Sequence, residues 1–206
     1  KLNKNSQILD IGCGRGKIFG ALSRKLRLVN KPIGIDPIYH KDVDKNLDFR
    51  NEDVFKFFRS NSKKFDLIMI KQTLHFLSKD KRIKLMDICK KNLKKKGTLI
   101  ILSLNPKKNQ FPCFKLMKLK LNRSLEKDSK MLNSICNLLH NNKIDKFKFN
   151  VSLSKEKYVL MLKQRYISCL INLNKDQLNK GIIEIKNTYE KKINFKDTLI
   201  SIKFTK

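Results

Sequence analysis

The chain has 206 residues, with 48 Lys and Arg against 18 Asp and Glu, and a formal charge of +30. That length holds one domain with a sizeable core. No apolar run reaches the ~20 residues of a membrane helix, so no membrane-spanning helix is expected.

Residues 7–12, QILDIG, read as a short apolar strand. Residues 16–28 follow with Ile18, Phe19, Leu22 and Leu26 at helical spacing. A second strand falls at 31–37 and stops at Pro37, a third at 46–53, and a fourth at 63–71. Ser78 can cap a helix with a stripe of Leu85, Met86, Cys89 and Leu93 that ends at Gly97. Residues 97–104 make a fifth strand. These runs are continuously apolar, as in parallel strands covered on both faces. The alternation of strand and helix predicts an open, doubly wound α/β sheet.

The rhythm changes after Leu104. Residues 105–114, with two prolines, read as a loop and 124–140 as a helix. A strand follows at 145–153, then a helix opened by Ser154. A capping box at 174–177 precedes a helix to about Tyr189, and a last strand lies at 197–204. The expectation is a single domain over 1–206, with a cofactor half (1–104) and a substrate-side half (105–190) carrying a helical insertion. The chain starts at Lys1, which suggests that natural N-terminal residues precede it. Cys13, Cys89, Cys113, Cys136 and Cys169 are scattered without metal-ligand spacing, which points to reduced thiols, a cytoplasmic location and no metal.

Ligands of α/β sheets bind beyond the carboxyl ends of the strands, so the turn after the first strand is the default site. It reads LDIGCGRGK, with Gly12, Gly14 and Gly16 spaced G-x-G-x-G. Lys17 stands where a dinucleotide turn has its third glycine, and no G-K-[ST] follows, so it is not a P-loop. Asp10 precedes the turn. A carboxylate there suits an ammonium group better than a phosphate. Cys13 reads as a small filler.

LDIGCGRG resembles the first motif of class I S-adenosylmethionine (SAM) dependent methyltransferases, and further landmarks follow in register. Asp36 matches the acid that accepts from the ribose hydroxyls, with Pro37 and Ile38 after it. NEDV at 51–54 matches the third motif, so Asp53 would meet the adenine amino group and Val54 the ring, with Glu52 a competing candidate. Residues 65–77 and 93–102 resemble the fourth strand with its exit, and the fifth. The likeness covers residues 7–104 well. It implies a Rossmann-like seven-stranded sheet of order 3-2-1-4-5-7-6 with strand 7 antiparallel and a helical insertion after strand 5. It also implies SAM as cofactor, S-adenosylhomocysteine (SAH) as product, and a cofactor site of Asp10, Gly12, Cys13, Gly14, Gly16, Asp36, Pro37, Ile38, Asp53, Val54 and Lys71. Asp36 and Asp53 also have a plainer reading as caps of the segments after them.

The acceptor is less legible. The fourth-strand exit, KQTL, lacks the N-P-P-Y-like signature of adenine or glutamine N-methylation. His75 is a candidate base, with packing or helix-start hydrogen bonding as its other reading. Residues 155–185 resemble the tail of small-molecule methyltransferases near the trans-aconitate and quinone types. Arg165 there is a candidate for binding a substrate carboxylate, or for an ion pair or cap contact within the fold. Tyr166 is a candidate pocket wall. The chain carries 40 lysines and only 8 arginines, spread along its length, and AT-rich codon usage explains that pattern. Arginine is the preferred phosphate reader, so a small-molecule partner is favoured over nucleic acid. RNA methylation stays open as the alternative, and a non-enzymatic scaffold is a third reading.

Overall fold

A computed structural model describes residues 2–107 and 110–206. Lys108 and Asn109, in the expected 105–114 loop, lie outside the described residues. In chain order the elements are β1 (Ile8–Ile11), α1 (Lys17–Leu26), β2 (Ile33–Ile35), β3 (Asp48–Arg50), α2 (Val54–Ser60), β4 (Phe65–Lys71), α3 (Lys79–Asn92) and β5 (Leu93–Leu104). Then come α4 (Lys115–Leu138), β6 (Lys143–Ser154), α5 (Lys155–Lys163), α6 (Lys175–Thr188) and β7 (Lys192–Thr205). Short 3-10 turns lie at Leu74–Phe76 and Ser168–Leu170.

The seven strands form one sheet ordered β3-β2-β1-β4-β5-β7-β6. Strands β3, β2, β1, β4 and β5 pair in parallel. β7 runs antiparallel to β5: Lys206 N donates to Gly97 O at 3.0 Å, and Asn105 N to Thr198 O at 2.9 Å. The predicted order and the antiparallel last strand both hold. The helical part after strand five is divided by β6, with α4 before it and α5 and α6 after it.

Contacts divide the chain into two compact units. One comprises Lys1–Ser103, Asn133–Asp145 and Ile200–Lys206; the other comprises Leu104–Leu132 and Lys146–Leu199. In the first unit all four residues of β1 are buried, as are Ile68 and Ile70 on β4. Burying each such aliphatic side chain contributes about 1.5–3 kcal/mol. The second unit has its own core of Phe114, Met117, Tyr158, Leu162, Leu170, Ile182 and Ile193.

The largest differences from the expected boundaries have physical reasons. The helix expected to end at Gly97 ends at Asn92, and β5 starts at Leu93. Gly97 is not a helix cap: a Cβ on it would sit 2.7 Å from Phe65 O, so it permits close approach of β4. The pairing jumps from Phe65–Leu93 to Leu67–Thr98, a bulge that takes up residues 94–97. α4 starts at Lys115, not 124, because Met117, Leu121 and Leu125 extend its buried stripe beneath interspersed lysines. β7 starts at Lys192 because Ile193 is buried and begins the alternation five residues early.

Candidate active site

The site is built where β1 and β2 end, within the first unit. Gly12, Gly14 and Gly16 all have positive φ, at 71°, 52° and 65°, which favours glycine. Space explains two of them further. A Cβ on Gly12 would lie 2.1 Å from Thr73 Oγ1, and one on Gly16 would lie 2.3 Å from Leu47 Cδ2. Around Gly14 nothing lies within 4 Å of that position, so the turn is open there.

Asp10 is the chemically conspicuous residue. It is 3% exposed, and its Oδ1 is buried without a hydrogen-bond partner. Burial pushes its carboxyl up to about 7, opposed by the nearby Lys71 charge and reinforced by Asp36. An unpartnered buried carboxylate oxygen is costly unless something donates to it. An ammonium donor would both pair it and favour its ionised form, so the donor set fits the amino-acid end of SAM. Cys13 lies in the same turn and its thiol is pushed up to about 12, first by burial and then by Asp10 and Asp36. It is held protonated, as a filler requires, and its Sγ donates to Gly14 O at 3.6 Å.

Asp36 follows β2. Its Oδ2 accepts from Gly14 N at 2.8 Å and its Oδ1 from Ile38 N at 2.9 Å. Each oxygen thereby uses one of its two lone-pair positions and keeps another for a hydroxyl. The cap reading and the ligand reading are therefore compatible for this residue. Pro37 follows directly, and Ile38 is largely exposed. Asp53 is the N-cap of α2, and its Oδ1 accepts from Phe55 N at 2.8 Å and Lys56 N at 3.3 Å. Val54 beside it is buried. His75 sits in the 3-10 turn after β4 with its ring 4.0 Å from that of Phe76.

Sequence reasoning missed a strap on the glycine turn. Between β2 and β3, Asp42 accepts from Arg15 Nε at 2.8 Å, and its carbonyl accepts from Lys17 Nζ at 2.7 Å. Asp44 N donates to Arg15 O at 3.0 Å. The buried Asp44 carboxylate accepts from Arg24 Nη1 and from Asn46 N, which hold it near 2. A Cβ on Gly20 of α1 would sit 2.2 Å from Asp44 Cγ, so only glycine admits this strap. The signal was a lone glycine inside a helical pattern, which usually has a packing reason.

In the second unit Arg165 has φ 52°, and its Nη1 donates to Leu170 O and, at 3.0 Å, to Ile171 O. It fastens the turn after α5. Tyr166 OH donates to Tyr158 OH at 3.5 Å, and Tyr158 OH in turn donates to Pro112 O. Burial raises both phenols well above their ordinary range. Phe111 lies beside both rings, at centroid distances of 6.4 and 6.0 Å.

Residues 8–97 match the family described as a methyltransferase domain. That segment is less than half of the chain, and over it the chain resembles a methyltransferase domain. No curated protein sequence matches the chain. Among solved structures, the chain resembles a protein of Anabaena variabilis described as a methyltransferase from an antibiotic biosynthesis pathway. Identity is 15%, coverage 97% of this chain and 91% of that one, and the TM-score 0.62. A SAM-dependent methyltransferase of Thiobacillus denitrificans, solved with SAH, is 12% identical with a TM-score of 0.57 over 98% and 86% of the two chains. One from Archaeoglobus fulgidus is 20% identical, with a TM-score of 0.55 over 98% and 86%. At these identities the likeness establishes the fold. Among the described residues, no group of three or more His, Cys, Asp or Glu is placed to hold a metal ion, and no helix is long and apolar enough to cross a membrane.

Proposed function

We propose that the chain transfers a methyl group from SAM to a small-molecule acceptor. The observation that carries the cofactor half is the unpartnered Asp10 oxygen beneath an open glycine turn. Bound SAM supplies a methyl group activated on a positively charged sulfur. In this reading Asp10 receives the ammonium, directly or through water, with Lys71 alongside. Gly12, Cys13, Gly14 and Gly16 line the methionyl part. Asp36, Pro37 and Ile38 hold the ribose side, and Asp53 and Val54 the adenine. These residues would hold SAM so that its methyl group could face the acceptor's lone pair in line. The chain's contribution is alignment, worth up to about 7–11 kcal/mol in favourable cases. His75 serves as base where the acceptor carries a proton to lose.

Support for a small acceptor comes from the KQTL exit of β4 and from the antibiotic-pathway neighbour. A carboxylate-bearing acceptor recognised by Arg165 is the weaker part, since Nη1 already serves two carbonyls. Tyr166 with Phe111 offers an aromatic wall instead. The charge of +30 is what favours RNA as the second reading. Incubation with methyl-labelled SAM and fractionated cell extract separates the two. Label entering the small-molecule fraction is expected, and label confined to RNA would overturn the proposal.

A further inference from the structure

We infer that the β6 edge is a docking strand for an extended acidic segment of another protein, added to the sheet by backbone pairing. β6 ends the strand order, so one row of its backbone groups has no neighbouring strand. Its residues 146–150, Lys-Phe-Lys-Phe-Asn, are exposed on both faces. Alternation places Phe147 and Phe149 on one face and Lys146 and Lys148 on the other. Phe147 is 60% and Phe149 37% exposed, and their rings lie 5.7 Å apart.

Lysines on an edge strand ordinarily discourage pairing, but that role does not account for two exposed phenylalanines beside them. Charge selects the occupant. Antiparallel pairing of two copies centred on residue 146, 147 or 148 sets lysine directly opposite lysine, which is destabilising. A one-residue slip sets phenylalanine opposite lysine, and a charge of +30 on each copy opposes association in any register. Single-stranded RNA could stack on the phenylalanines, yet it would leave the open backbone row unpaired. A strand alternating acidic and apolar residues satisfies all three features. Its carboxylates face Lys146 and Lys148, its apolar residues cover Phe147 and Phe149, and its backbone pairs the edge.

The test uses the full chain and short fluorescent peptides alternating glutamate with valine or phenylalanine. Binding is expected, weakened about tenfold by Phe147→Ala with Phe149→Ala and more than tenfold by Lys146→Glu with Lys148→Glu. The same peptides N-methylated on alternate amides keep their charge but cannot pair, and should not bind. SAH affinity should be unchanged in these variants, which shows that they are folded. The inference is overturned if no peptide binds, if the N-methylated peptides bind equally, or if an oligouridylate binds this surface more tightly than the peptides do.

Discussion

The glycine-turn region of the first unit and the Arg165–Tyr166 region of the second both carry polar groups in sheltered surroundings, but they use them differently. Asp10 keeps a buried oxygen without a donor, and Asp36 spends only half of its accepting capacity. Arg165 Nη1 serves two carbonyls, and the Tyr166 and Tyr158 hydroxyls hand on to Pro112 O. A polar group left unsatisfied at a cost to folding points to a ligand. One already paired points to structure.

The largest expected effect breaks the first region. Gly12→Ala puts a Cβ onto Thr73 at positive φ. It should cost about 2–4 kcal/mol of stability by denaturant titration and abolish SAH binding. Asp44→Ala frees Arg24 and loosens the strap on the turn, so SAH affinity should fall about tenfold by calorimetry. Part of that loss should vanish in Asp44→Asn, which keeps a side-chain oxygen to accept from Asn46 N. Arg165→Ala sharpens the contrast from the other side. It should lower stability by about 2 kcal/mol while leaving SAH affinity within twofold; a selective loss of acceptor turnover would instead make Arg165 a substrate residue. The smallest effect belongs to Lys71→Met. Lys71 lowers the Asp10 pKa, so removing its charge should move the pH midpoint of SAH binding upward by less than about one unit.

Much of the fold was readable because its signals are local. Strands covered on both faces read as uniformly apolar, and Ser78, Ser154 and Asn174 with Gln177 cap their helices where the residue types predict. Asp10, Asp36 and Asp53 stood out as candidates because Asp10 lies near the end of β1, Asp36 directly follows β2 and Asp53 caps α2. What escaped was set by partners distant in sequence. Nothing near Gly97 shows that Phe65 will pass 2.7 Å from it, and nothing near Gly16 or Gly34 announces Leu47. Arg165 was picked out as a candidate for a substrate carboxylate, but its partners are backbone carbonyls, which sequence does not display.

The central claim is that Asp10 receives the cofactor's ammonium group, and its pH dependence tests that most directly. Because Asp10 titrates at about 7 in the free fold, above its ordinary 3.8, its protonated form favours folding. That contribution is complete below about pH 3.8 and is lost as pH rises through 7. Ammonium binding needs the ionised form, so it runs the opposite way. Calorimetry with SAH between pH 5.5 and 7.5 should show affinity rising with pH, by up to about tenfold per unit below 7, with proton release. Asp10→Asn should bind more than about tenfold more weakly and show no such slope. Equal affinity across that range, or an unchanged affinity in Asp10→Asn, would contradict the account.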